Sequence, residues 1–349
     1  MGGIRNRQIY IFHEIRRNKM VQDRKIARRV RLADVAAEAG VSSMTVSEIL
    51  RPRNSRIQVS EKTRLRVLEA VKRLNYQPNL QARSLADGRS SLVGILFSSL
   101  QDPFFAELLN HLEQELRRHN LTGIYAFWSD YEHFEQALNT VICNNVCGIV
   151  TSHDELGERV PDSIPTVVYG YPHEKYDSIY PDWEEIMKMI FRHLYERGYR
   201  KFGYAGHRAT RKTRQDILKK ILKDENLPVR ADWFYSDRNV QDVGMAAARK
   251  FLKQKERPEV IIAQNDFTAM SLMSNLQMEG VGIPEDVAVT GIDNLFIRTR
   301  LAPNLTTVDL DIPAIAKNLS ALLIERLREP AAPHREITTE SHLITGKSC

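Results

Sequence analysis

The chain of 349 residues carries 50 Lys and Arg against 44 Asp and Glu and is 42% apolar, long enough for two or three structural units that each bury a core. Its charge is segregated: residues 1–91 hold 20 Lys and Arg and 8 Asp and Glu, a net of +12, and the remainder is at −6, the footprint of a nucleic-acid binder with a separate second task. Cys143, Cys147 and Cys349 make neither a disulfide framework nor a zinc array, and no apolar run approaches the roughly 20 residues of a membrane helix, so a cytoplasmic chain is expected.

Residues 1–28 precede the patterned part of the chain. The stretch at 9–15 is apolar but too short for a secretory core, and no small-residue cleavage site follows. It reads either as a basic arm or as an upstream start with Met20 as the working initiator; the second, or a disordered tail, is the expectation.

Next comes RLADVAAEAGVSSMTVSEIL. Val35, Ala36 and Ala39 recur at helical spacing with small side chains, so that a second helix can approach closely. Gly40 supplies a turn with positive φ. Ser42 or Ser43 can cap a second helix to about residue 50 that buries Val46, Ile49 and Leu50. This is a helix-turn-helix, whose second helix enters the major groove. Its groove-facing candidates are Ser43, Met44, Thr45, Ser47 and Glu48, followed by Arg51. The spacing predicts a third helix from Ser60, with Leu65, Leu68, Val71 and Leu74 inward and Arg64, Arg66, Lys72 and Arg73 outward toward phosphates.

Residues 79–90, NLQARSLADGRS, are too short and weakly amphipathic to hold a helix alone in water; a plain linker is one reading of them. From Leu92 onward apolar strands alternate with amphipathic helices in two series, LVGILF to PTVVYG and RKFGYAG to TTVDL. That pattern predicts parallel, doubly wound sheets covered on both faces, in two lobes with a cleft between. No GxGxxG follows the first strand, and no GxxxxGK[ST], HExxH or GxSxG occurs. An enzyme is not expected, and neither a metal nor a cofactor is implied.

AGVSSMTVSEIL, SEKTRLRVLEAVKRLNYQPN and ARSLADGRS, continued by DPFF, AQND, GIDN and APNLTTV, resemble the lactose-repressor-type (LacI/GalR) transcription regulators from about residue 30 to the C-terminus. The resemblance implies a helix-turn-helix head at 29–77, a hinge helix at 78–91 and a periplasmic-binding-protein-like core at 92–345. In that core one lobe holds 92–181 and 309–330, and the other 182–308 and 331–345. It implies that two hinge segments meet in the minor groove, where Leu85 wedges into a base step and Asn79, Ala82 and Arg83 support it. Two departures touch the head: most relatives have Arg at Glu48 and Asn at Arg51. Glu can only accept hydrogen bonds, most usefully from cytosine N4, so an altered operator is expected.

Ligands of open parallel sheets lie beyond the carboxyl ends of the strands. There the chain places Asp102, Phe105 and Trp128 in the first series, Asp182 near the first crossing, and Arg214, Asn265 and Asp293 in the second. Carboxylates, an amide and a guanidinium suit neighbouring hydroxyls, and an aromatic face covers a sugar; the resemblance assigns effector contact to Asp102, Arg214, Asn265 and Asp293. Phe104 reads as core and Asp266 as a helix cap. Ile217 replaces a glycine usual in relatives, and Asn239 stands where relatives often carry an aromatic before Gly244. The expected protein is a repressor that binds duplex DNA as a homodimer on a pseudo-palindromic operator and answers to a small polar effector, a sugar or sugar derivative. A transport solute-binding protein and an enzyme fused to a DNA-binding module are the alternatives.

Overall fold

Gly40 adopts φ 64°, ψ 41°, the left-handed turn that closes helix α1 (Leu32–Ala39) and lets α2 (Ser43–Ile49) fold back on it. The computed structural model describes residues 30–50, 59–77, 90–98, 100–128, 131–152, 156, 159–237 and 242–349. The chain divides into two units, Met1–Asp87 and Gly88–Cys349.

In the first unit Ser42 caps α2 by accepting the Thr45 N–H at 3.1 Å, and Ser60 caps α3 (Glu61–Arg73) by accepting the Thr63 N–H at 3.3 Å. Each side chain satisfies a backbone donor that the helix itself leaves open. The core is Val35, Ala36, Ala39, Val46, Ile49, Val67 and Ala70. The inward face of α3 differs from the expectation, because Leu65 is 53% and Leu68 43% exposed. Steps of three residues slip by about 60° each on a helix of 3.6 residues per turn. Leu65 and Leu74 therefore cannot share a face, and Val67 with Ala70 takes the contact.

The second unit holds two parallel sheets. The first runs β11-β5-β4-β3-β1-β2 and the second β7-β6-β8-β9. Its chain order is β1 (Leu92–Phe97), α4 (Pro103–Arg118), β2 (Thr122–Phe127), α5 (Tyr131–Cys143), β3 (Gly148–Thr151), β4 (Thr166–Tyr169) and β5 (Asp177–Pro181). There follow α6 (Trp183–Glu196), β6 (Phe202–His207), α7 (Asp216–Asp224), β7 (Phe234–Asp237), α8 (Val243–Lys253), β8 (Val260–Ala263), α9 (Asp266–Met278) and β9 (Ala288–Thr290). Last come β10 (Thr307–Asp309), α10 (Ile312–Arg328), β11 (Glu336–Thr339) and β12 (His342–Ile344). Strands β1, β3, β4 and β8 are wholly buried, as parallel strands covered on both faces must be. Helices α8 and α9 cross so closely that a Cβ on Gly244 would stand 2.7 Å from the Leu272 nitrogen and the Thr268 carbonyl.

Strand β11 corrects the expected lobe boundary. Residues 331–345 were expected together in the second lobe, yet Glu336–Thr339 pairs with β5 in the first sheet. Asp177, 2% exposed, accepts Arg326 Nε at 3.0 Å, Arg326 Nη2 at 2.9 Å and the Arg335 N–H at 2.8 Å. Arg326 also donates to the carbonyls of Pro330, Ala332 and Pro333. This clamp returns the chain to the edge of β5, and the crossing comes only afterwards, before β12 pairs antiparallel with β10. Strands β5 and β7 and helix α10 are elements that the alternation of apolar runs did not reveal.

Candidate functional site

On the head, Ser43 and Met44 at the start of α2 are exposed, Met44 by 68%. Thr45 is half-buried, its hydroxyl 2.9 Å from that of Ser42, and Ser47 and Glu48 are half-buried further along the same helix. Arg64, Arg66 and Lys72 project from α3, while Arg73 pairs with Glu38 at 2.9 Å. Arg51 and the hinge candidates Asn79, Ala82, Arg83 and Leu85 lie outside the described residues, as do the extension 1–28 and Asn239.

In the second unit the carboxyl ends of β1, β4, β8 and β9 bring together residues from both sheets. Asp102 caps α4 by accepting the Phe104 N–H at 3.0 Å, and its other oxygen accepts Asn265 Nδ2 at 2.9 Å. Asn265 in turn caps α9 through the Thr268 N–H at 2.9 Å. Each residue thus holds a helix N-terminus and, with its remaining atom, the opposite lobe. Burial pushes the Asp102 carboxyl above its ordinary pKa, opposed by the Phe104 N–H, Arg214 and Asn265.

Arg214 stands on a π-helical turn, Arg211–Gln215, a local widening that often marks a functional position. Its guanidinium lies 3.8 Å from the centre of the Trp183 ring and donates to the Gln264 carbonyl, and its buried Nε has no hydrogen-bond partner. Asp293 is 4% exposed with φ 119°, and its Oδ2 is also unpartnered. Burial, then the charges of Asp102 and Asp266, raise its pKa well above the carboxylate range, with Arg214 acting the other way. Tyr169, at the end of β4, stacks on Phe104 with centroids 5.8 Å apart. Its phenol is raised by burial first and then by Asp293, within reach of Asp102 and Arg214.

Asp102, Arg214, Asn265 and Asp293 therefore converge. The other three candidates are placed differently. Phe105 packs edge-on against Phe97 and Phe104, at 5.4 and 5.5 Å. Trp128 packs edge-on against Phe134 at 5.7 Å. Asp182 is exposed and caps α6 through the Glu185 N–H at 3.0 Å. The helix cap expected of Asp266 belongs to Asn265. The Asp266 carboxylate instead accepts the Thr307 hydroxyl at 2.6 Å and the Leu295 N–H at 2.9 Å, which pins the loop carrying Asp293. Tyr169 and Trp183 were missed, although each sits at a strand end or lobe crossing where ligands are sought; nothing in the sequence marks the role of Asp266.

A cavity of about 490 Å³, lined by Asp177, Arg326, Glu329 and Arg335 among others, lies at the amino ends of β5 and β11, the far end of that sheet from these residues. Two of its charged groups, Asp177 and Arg326, are those of the clamp. Among the described residues no group of His, Cys, Asp and Glu could hold a metal, and no helix is long and apolar enough to cross a membrane.

Residues 31–79 match the model of bacterial regulatory proteins of the lacI family, and 191–349 that of a periplasmic binding protein-like domain. The HTH-type transcriptional repressor PurR of Vibrio cholerae serotype O1 (strain M66-2) is 31% identical over 316 residues, covering 85% of this chain and 91% of that protein. The chain belongs to the lacI family. PurR of Vibrio vulnificus (strain CMCP6) is 29% identical over 331 residues, covering 90% and 96% of the two chains. Among solved structures, a LacI-family regulator from Silicibacter pomeroyi superposes with a TM-score of 0.79 at 24% identity, over 91% of this chain and 99% of that one. The Lac repressor dimer bound to operator and the anti-inducer ONPF gives 0.79 at 22%, over 92% and 99%. The CelR–cellobiose complex gives 0.67 at 22%, over 92% and 100%. These likenesses show the family fold: a helix-turn-helix unit followed by a two-lobed parallel α/β core.

Proposed function

We propose that this lacI-family regulator is a cytoplasmic repressor that binds a pseudo-palindromic operator as a homodimer and releases or grips it according to a small polar ligand held between its lobes. The observation that carries the reading is the convergence of Asp102 from one lobe with Arg214, Asn265 and Asp293 from the other. The unfilled acceptor of Asp293 and the unfilled donor of Arg214 match a ligand rich in hydroxyls, which both donate and accept. Tyr169 and Trp183 add aromatic surface, which favours a sugar or sugar derivative. That several relatives are named repressors supports the sign of the activity, and the Lac repressor dimer on its operator supports the homodimer.

The mechanism is linkage. A ligand that binds one arrangement of the lobes better than the other shifts their equilibrium and with it the affinity of the heads for DNA. A coupling of about 1–3 kcal/mol changes operator affinity about 5- to 150-fold. Selection of duplexes from a random pool by the full chain tests the first half of the proposal. An enriched palindrome is expected, and sequence-blind, salt-sensitive binding alone would refute it. Titration of the selected operator complex with monosaccharides and with cellobiose tests the second half, and a loss or gain of affinity confined to some of these sugars is expected.

A further inference from the structure

Asp293 is an acid placed where an ionised carboxylate has little to hold it. Its backbone is locked, with the N–H donating to Val308 O at 2.8 Å and a bridge to Asp309, while its buried Oδ2 meets no donor. Three acids act on it, Asp102 at the cap of α4 and Glu107 on that helix in the first lobe and Asp266 on α9, and its backbone bridges Asp309 on β10. The Tyr169 phenol faces it from β4. Arg214 opposes these acids, yet its guanidinium donates to the Gln264 carbonyl and stacks on Trp183, and its buried Nε meets no acceptor. Arg298, near Asp266, is spent on Asn294 and the Leu305 carbonyl. Two carboxylates in one low-dielectric site cannot both ionise cheaply. Yet Asp102, one of the pair, is also the acceptor of the hydrogen bond from Asn265 that joins the lobes.

We propose that Asp102 and Asp293 form a proton-gated latch: with one proton on the pair the lobes close through Asn265 and Asp102, and with both carboxylates ionised they repel across the cleft and part. The proton leaves Asp293 for solvent, and the ionisation of the neighbouring Asp266 adds to the same pH dependence. The latch does not depend on which ligand the cleft takes, so it stands or falls apart from the sugar reading. It would also make regulation answer to pH as well as to ligand, since any ligand that prefers the closed lobes competes with the same ionisation.

The sign follows from where the proton is held. Asp293 keeps its proton in the folded chain at pH values where the unfolded chain has lost it, so stability falls as pH rises from the ordinary carboxylate range through the raised one. The test compares the full chain with Asp293→Asn, without added ligand, by thermal unfolding between pH 5 and 8.5. The Tm of D293N relative to wild type should climb with pH, by about 3 °C or more across this range; a constant offset overturns the latch. Hydrogen exchange at matched pH supplies the conformational readout. At pH 8 residues 101–106 and 263–267 should exchange faster in the wild type than in D293N, and at pH 5.5 alike. Equal exchange at pH 8 overturns the proposal even if the Tm data agree. Should D293N fail to fold, Asp102→Asn removes the facing charge that helps keep the proton on Asp293, so the loss of stability with rising pH should be smaller and end at lower pH than in the wild type; an unchanged loss again overturns it.

Discussion

Asn265 donates its side-chain amide to Asp102 at 2.9 Å across the two lobes, while its own oxygen caps α9. One residue therefore serves both a helix end and an inter-lobe contact. Asn265→Asp keeps the cap but replaces the donor by an acceptor facing Asp102. We expect a loss of about 1–3 kcal/mol that diminishes as pH falls and the carboxylates protonate, read from urea unfolding at pH 5.5 and 7.5. Equal losses at both pH values would show that the inter-lobe bond contributes little.

Asp266 is buried among Thr307, Leu295 and Asn294, and burial lifts its carboxyl to about 7, offset by the bonds it accepts. A carboxyl raised in the folded state makes stability decline with rising pH between the ordinary carboxylate value and about 7. Asp266→Asn should flatten part of that slope. Thr307→Val, which strands one acceptor lone pair, should cost about 1–3 kcal/mol, measured by denaturant unfolding at pH 7.5.

The clamp at Asp177 is an ion pair with both partners largely out of solvent, the side chains of Arg326 and Asp177 being 14% and 2% exposed. Arg326→Met leaves Asp177 without its counter-charge and frees three carbonyls of the 330–333 turn. A loss of about 3–5 kcal/mol is expected, with faster hydrogen exchange in β11. The double variant with Asp177→Asn should recover a part of it, because the stranded charge is then gone.

Gly244→Ala tests the closeness of α8 and α9. The new methyl would meet backbone rather than a yielding side chain, so the helices must separate, at a cost of about 1–3 kcal/mol seen as a lowered denaturation midpoint with an unchanged slope.

On the head, Glu48→Arg should change which base is preferred at one operator position, from cytosine toward guanine, by about 1–3 kcal/mol. Arg66→Ala should weaken binding to all sequences alike and reduce the salt slope by about one unit. Selection from the same random pool separates the two effects.

Much of the head was legible because its structure is local. Gly40, the Ser42 and Ser60 caps and the small inner face of α1 are read from residues a few positions apart, and they stand where expected. Of the residues expected inward on α3, Val71 and Leu74 pack on the core while Leu65 and Leu68 do not, because steps of three drift around the helix and Val67 and Ala70 take the inner face. In the core, strand ends and family resemblance singled out Asp102, Arg214, Asn265 and Asp293, which the fold brings together. The use of Asp182 as a helix cap was not legible there.

By itself the sequence determined the helix-turn-helix, the alternation that makes two parallel sheets, and the charge division between head and core, since each follows from short-range pattern or composition. Only the tertiary structure decided what lies far apart in the chain. Asp177 holds Arg326 and pulls β11 into the first sheet. Asp266 ties residues 295 and 307, and Asp293 ends among acids from α4, α9 and β10. Burial and long-range charge set these roles, and neither has a spacing to read.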